Sequence, residues 1–417
     1  MTVSLAILRN ADFRRLMLSR MFMMMGWVVQ DVIIGWQIYS LTHSTFMLGL
    51  TGLAEAVPAI SCALFAGHIV DTGRPHRIFL ICLGLLALNS FMLLLVGGAF
   101  VGMPGGIVPW LFVGIFLSGF MRAFTAPTLF SLMSQVIPRT QISAASALLS
   151  GIFQFASVLA PAVAGLVYGG YGARVAWFLP ASLVGSAFVL LACMSDALRA
   201  YRNAKSSEPA MRNIRAGWQF ILDHRALLSV MALDMFAVLF GGAVSMLPAY
   251  ADQVLHVGSQ GLGILRAATA VGAGIMAIWL AVKPLRVIRG STLLWVVAGF
   301  GLCIIGFGMS RIFWLSFLML AISGAFDCVS MVIRSSIMQL LTPDAMRGRI
   351  SAVSSMFIIS SNEIGAFESG TAATLFGLVP SVIIGGVCTL VVVAATALWS
   401  PKLRQTAVDA EEAQKPT

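Results

Sequence analysis

Apolar runs near 20 residues recur from one end of this chain to the other. A run of that length crosses the hydrocarbon core of a bilayer as a helix, because only internal hydrogen bonds satisfy the backbone there. Twelve such spans fall near residues 16–40, 46–70, 77–98, 106–130, 142–169, 174–195, 226–251, 259–282, 291–310, 312–338, 349–375 and 377–399. Only 10% of the 417 residues are charged and the mean hydropathy is +0.94, whereas soluble domains carry roughly 25% charged residues. The expectation is an all-α polytopic membrane protein. Residues 1–195 form an N-terminal six-helix bundle and 226–400 a C-terminal one. Residues 196–225 are a cytoplasmic linker and 401–417 a cytoplasmic tail. In the linker, Met211, Ile214, Trp218 and Ile221 have helical spacing, with Arg212 and Arg215 beside them. This reads as an amphipathic helix on the membrane surface or as a solvated linker helix. Met1–Arg15 lacks the apolar region and cleavage site of a signal peptide, so the first span is expected to stay as an anchor.

Basic residues set the orientation. Arg9, Arg14, Arg15, Arg20, Arg74, Arg77, Arg139, Lys283, Arg286, Arg289, Arg347 and Arg349 fall on one side, together with those of the linker and tail; the opposite loops hold only Arg174 and Arg311. The positive-inside rule places both termini and the linker in the cytoplasm of a cell whose inner membrane holds the chain. These flanks account for the net charge of +10 and leave no continuous basic face for nucleic acid. The six cysteines all lie in apolar segments without CxxC or Cys/His spacing, so they read as buried packing.

The halves look like repeats. Ser118-Gly119 with Gln135…Pro138 in span 4 parallels Ser323-Gly324 with Gln339…Pro343 in span 10. Ser143-Ala144-Ala145-Ser146 parallels Ser351-Ala352-Val353-Ser354, and Val57-Pro58-Ala59 parallels Val271-Gly272-Ala273. Two parallel six-helix repeats put a solute pathway between them at the midplane.

Between spans 2 and 3 runs Gly67-His68-Ile69-Val70-Asp71-Thr72-Gly73-Arg74-Pro75-His76-Arg77. Asp71 falls where a helix should end, at the negative pole of its dipole, so a cation should answer it. Gly67, Asp71, Arg74 and Arg77 resemble the cytoplasmic signature of the major facilitator superfamily, with Thr72 in place of an arginine, the Gly-Arg pair one residue early and Pro75 added. Further stretches resemble the enterobactin-exporter-like and macrolide-efflux-like branch of drug exporters. They are Arg122-Ala123-Phe124-Thr125-Ala126-Pro127, Ala160-Pro161…Gly165, Asp234…Leu262-Gly263-Ile264-Leu265-Arg266-Ala267-Ala268, Pro343-Asp344…Arg347-Gly348-Arg349 and Ser361-Asn362-Glu363-Ile364-Gly365. The resemblance implies the major facilitator fold and an antiporter-type exporter of a siderophore or drug. It also implies that Asp71 is answered from the start of span 11, where Arg347 and Arg349 are the nearest basic residues, in a latch on the cytoplasmic side.

Charges inside the spans carry the chemistry, since each is costly in hydrocarbon and normally faces a cavity or a partner. Asp31, Glu55, Arg122, Asp234, Asp327 and Glu363 are the candidates for a substrate and proton pathway. For Asp31 and Glu363, exchange of a proton as the halves rock and a structural hydrogen bond both stand open. In the repeat alignment Arg122 falls opposite Asp327, and Arg20 opposite Asp234. Arg334 lies toward the cytoplasmic end of span 10, where snorkelling accounts for it. Met21, Met23, Met24, Met25, Trp27 and Trp36 suit a bulky apolar solute or plain packing. No GxxxxGK[S/T] loop is present, so ATP does not drive it. No catalytic constellation indicates an enzyme, and no cofactor is expected. The expectation is a monomeric secondary transporter for a small molecule, working by alternating access with the proton gradient as driving force. Uptake or export of another solute class (a nutrient, a metal ion, a lysophospholipid) is the alternative, followed by a membrane sensor that transports nothing.

Overall fold

The computed structural model describes residues 10–98, 105–137, 141–195, 218–283, 287–343, 346–400 and 407–409. Among the described residues, six helices make up the first half: α1 (Ala11–Thr42), α2 (Thr45–Thr72), α3 (Pro75–Gly97), α4 (Val108–Val136), α5 (Ile142–Ala176) and α6 (Phe178–Ala192). The second half has α7 (Arg225–Phe240, continued past a break by Leu247–Gln253), α8 (Gly258–Val282), α9 (Gly290–Met309), α10 (Phe313–Leu341), α11 (Arg347–Phe376) and α12 (Leu378–Trp399). Among the described residues ten segments are long and apolar enough to cross a membrane. The two expected spans outside that set are α6, with 15 residues, and α11, which carries Arg347, Arg349, Glu363 and Glu368.

Local chemistry sets the ends. The Asn10 side chain caps α1 by accepting from the Asp12 and Phe13 backbone N–H groups. Asp71 stands in the last turn of α2, and only Gly73 and Arg74 separate that helix from α3. Pro75 is the first residue of α3, where a proline costs no hydrogen bond. In α5 the helix breaks at Gly172, whose φ of 79° and ψ of 174° only glycine adopts readily. The expected span 226–251 is not continuous. Gly241-Gly242 ends α7, and a 3-10 turn over Ala243–Met246 leads into Leu247–Gln253. The all-α expectation needs one small addition, an antiparallel ribbon of β1 (Val287–Arg289) and β2 (Ala407–Asp409) that ties the tail to the α8–α9 connection. Of the proposed linker helix, the described part begins at Trp218 and is helical to residue 223.

The chain forms two compact units. The first comprises Met1–His43, Ala54–Ala210 and Gly258–Gly263, and the second Ser44–Leu53, Met211–Val257 and Ile264–Thr417. In the first, α1 packs on α5 and α6, and α3 on α4 and α6. In the second, α7 packs on α11 and α12, and α9 on α10 and α12. Every one of these pairs recurs six helices later, the contact pattern of a duplicated six-helix unit. The first core gathers Phe13, Leu16, Phe79, Leu83, Leu132 and Val184; the second gathers Val230, Leu233, Leu293, Ile333 and Ile337. Leu88, Phe130, Ile278 and Trp295 are each at least 64% exposed. Outward side chains of this kind suit contact with lipid rather than water.

The cysteines are free; Cys82, Cys303 and Cys328 are buried, but Cys193 is exposed, contrary to the packing expected for all six. It caps the end of α6, past the last apolar turn.

Candidate functional site

Inside the first unit, the charges expected to line a pathway are brought together by a helix crossing. Gly119 of α4 lies so close to α2 that an added side chain would run into the Glu55 carbonyl and the Pro58 ring. One turn beyond Gly119, the Arg122 guanidinium donates to Glu55 Oε1 at 3.1 Å. Its carbon also sits 4.4 Å from the centroid of the Trp27 ring of α1, where the π-face attracts a cation. Arg122 is thus held by a carboxylate and an indole. These groups border a cavity of about 40 Å³ lined by Met23, Trp27, Leu86, Ser118, Met121, Arg122 and Thr125. The thioethers and the indole give it an adaptable apolar wall, and Arg122, Ser118 and Thr125 give it polar points.

A buried amide network stands beside this cavity. Gln30 and Asn89 both donate to Ser118 Oγ, at 2.9 and 3.0 Å, and Ser90 donates to Gln30 Oε1 at 3.0 Å. It fixes α1, α3 and α4 at one level through polar bonds that lipid could not supply. Asp31 follows Gln30 and points elsewhere, with an exposed side chain that has an interaction of its own. The sequence singled out Asp31 but missed Asn89, Ser90 and Ser118 as its neighbours' partners. Three small polar residues in otherwise apolar spans were the available signal.

The second unit has its own pair. Arg334 of α10 bonds Asp234 of α7, and both side chains are nearly buried, at 9% and 13% exposure. Snorkelling does not describe Arg334, which turns inward to a carboxylate one hundred residues away instead of reaching for the membrane surface. Asp234 borders a cavity of about 20 Å³ together with Ala237, Val238, Val297, Phe300, Asp327 and Ser330. Asp327 and Arg334 share a face of α10 but are not bonded to one another.

Glu363 is half-buried and has an interaction within the structure. Its backbone abuts Gly52, in the part of α2 that belongs to the second unit. The polar run around Glu363 is partly self-satisfied, because Ser361 and Asn362 both donate to the Ile358 carbonyl one turn back. In the signature between α2 and α3 the surroundings of Gly67 and the side chain of Asp71 lie outside the described residues, as do the side chains of Arg347 and Arg349 at the start of α11. Arg74 is half-buried and Arg77 exposed. Among the described residues no group of three His, Cys, Asp or Glu side chains has the arrangement to hold a metal ion.

The sequence matches the family of transmembrane secretion effectors over residues 2–416. The enterobactin exporter EntS of Escherichia coli O1:K1 is 24% identical over 392 residues, covering 94% of this chain and 92% of that relative. The protein of the same name from Citrobacter koseri is 23% identical over 386 residues, covering 92% and 91%. Among solved structures, the POT family transporter PepTSo superposes with a TM-score of 0.76 at 12% identity, over 95% of this chain and 99% of the other. A bacterial homologue of the human lysosomal transporter Spinster does so with 0.68 at 15% identity, over 95% and 98%. A duplicated six-helix pattern of contacts, charges paired inside each unit and a family match over almost the full length agree with one another. The chain is a multi-pass membrane transporter of the major facilitator superfamily and belongs to its transmembrane secretion effector family.

Proposed function

We propose that this transporter exports an amphipathic small molecule of the siderophore class across the bacterial inner membrane, by alternating access and in exchange for protons. The observation that carries this reading is the Arg122–Glu55 pair under Trp27, at the wall of a thioether- and indole-lined cavity. A partly exposed guanidinium beside an aromatic face suits a solute with rings and acidic or hydroxyl groups. The enterobactin exporters matched along almost the whole chain support the class. The excess of basic residues on one side supports cytoplasmic termini, which makes outward movement export from the cytoplasm. The chain is taken as a monomer with the lipid bilayer around it. Its driving force is the proton gradient, consistent with mid-span carboxyl groups and with no nucleotide-binding loop.

Purified protein in proteoliposomes loaded with enterobactin tests the reading. An imposed pH gradient should accelerate release, and dissipating it with a protonophore should return release to the passive rate. Release indifferent to the gradient would defeat proton exchange, and no release above empty liposomes would defeat the substrate class.

A further inference from the structure

The two units place opposite charges at one structural position. In α4, Arg122 lies three residues past Gly119, which meets the Glu55 carbonyl of α2. In α10, Asp327 lies three residues past Gly324, which meets the Thr269 carbonyl of α8 in the same way. The partner is what differs. Arg122 is answered by Glu55. Thr269 stands where Glu55 does, carries no charge, and turns its hydroxyl back to the Arg266 carbonyl.

Asp327 consequently has no ion pair or hydrogen bond among the described residues. Its side chain is exposed, within the membrane-spanning length of α10. The carboxyl reaches the small cavity shared with Asp234 and Ser330. That cavity, about 20 Å³, has the room a single water needs.

Charge balance decides the protonation. The elements around α10 supply few charged groups: Asp234 and Arg225 on α7, Arg266 on α8, Arg289 on β1 and, besides Asp327, Arg334 on α10 itself. Over Gly290–Met309, α9 supplies none. Two carboxylates face one cavity, and one of them, Asp234, is already bonded to the Arg334 guanidinium. One negative charge is therefore balanced, and a second beside it is opposed by the first and by the cost of charge in the membrane interior.

We propose that Asp327 is the group that takes up and releases the coupling proton, and that the Asp234–Arg334 pair is a fixed neighbour of zero net charge, so that the cavity alternates between one unbalanced negative charge and none. In the step, a hydronium ion in the water entering the cavity gives its proton to the Asp327 carboxylate: one O–H bond of the hydronium breaks, one forms on the carboxyl group, and neutral water is left. The carboxyl O–H bond breaks, and a hydronium forms again, when that proton returns to water on the other side of the membrane. No other bond changes. The assignment rests on the proton-exchange reading above and selects Asp327 in preference to Asp31 and Glu363, each of which has an interaction in the structure.

Infrared difference spectroscopy of the full-length protein in lipid, recorded between acidic and alkaline buffers with no solute present, tests it. The carbonyl-stretch band of a protonated carboxyl should appear in the wild type and persist in Asp31→Asn and Glu363→Gln. It should vanish in Asp327→Asn and return at a displaced frequency in Asp327→Glu, which serves if the amide variant does not fold. A band that survives in Asp327→Asn, does not move in Asp327→Glu, or disappears with Asp31→Asn or Glu363→Gln overturns the proposal. The liposome assay separates this failure from that of the wider reading. Gradient-driven release together with a band that survives in Asp327→Asn removes only this residue, whereas release that ignores the gradient removes proton exchange altogether.

Discussion

Replacing Asp234 by asparagine should destabilise the second unit far more than the loss of one charge on a surface would. The pair it forms with Arg334 is nearly sealed, with exposures of 13% and 9%. A neutral amide in place of the carboxylate would leave the Arg334 guanidinium inside the membrane without a counter-charge. Removing one member of a buried pair costs about 3–5 kcal/mol in soluble proteins, and an arginine at a helix centre costs about 2.5–3.5 kcal/mol on insertion scales. The two ranges overlap near ~3 kcal/mol, which sets the expected loss for Asp234→Asn. Arg334→Met should cost a similar amount, because it abandons Asp234 in turn. The double variant Asp234→Leu with Arg334→Met removes both charges and should recover most of the loss, since replacing a buried pair by apolar side chains is often neutral or better. The assay is reversible unfolding in mixed micelles, followed by tryptophan fluorescence and treated as a double-mutant cycle. Non-interacting sites add to within about 0.5 kcal/mol. If the double variant is as unstable as the two single losses combined, the pair is not an energetic unit and the reasoning fails.

Ser118→Ala should weaken the first unit by about 1–3 kcal/mol in the same assay, the cost of an unsatisfied buried donor. Gln30 loses the acceptor of its amide nitrogen, whereas Asn89 keeps the Gly114 carbonyl at 3.1 Å. A change of a few tenths of a kcal/mol would mean that the amide network contributes little. Asp71→Asn is expected to abolish transport in proteoliposomes while leaving solute binding measurable by fluorescence quenching. Transport that persists in Asp71→Asn, or solute binding lost while the conformational change is intact, would refute its role as a latch.

Much of the fold was legible in the sequence because the bilayer is so restrictive a solvent. Length and apolarity mark α3, α9 and α12 without ambiguity, since nothing else accommodates roughly 20 apolar residues in hydrocarbon. The break after α7 was harder to read. Gly241-Gly242 is visible, yet two glycines inside a span equally permit an unbroken helix. The tail ribbon was not legible at all, because three residues on each side pair only once the α8–α9 connection is in place. Within the candidate site, Glu55, Arg122, Asp234 and Asp327 stood out individually from the cost of burying charge. Arg334 was read as a snorkelling residue from its nearness to a span end, a rule that considers depth and ignores which way the side chain turns.

The chain by itself determined where the spans lie and that the two halves repeat, because these follow from hydropathy and internal likeness. Tertiary structure alone decided which charge answers which. Glu55 and Arg122 are 67 residues apart and Asp234 and Arg334 one hundred, and no spacing rule links such positions. Two glycine crossings of one shape, at Gly119 and Gly324, carry the decision. In one, the backbone that passes the glycine brings a carboxylate to the cation beyond it. In the other it brings a threonine, and Asp327 has no ion pair among the described residues.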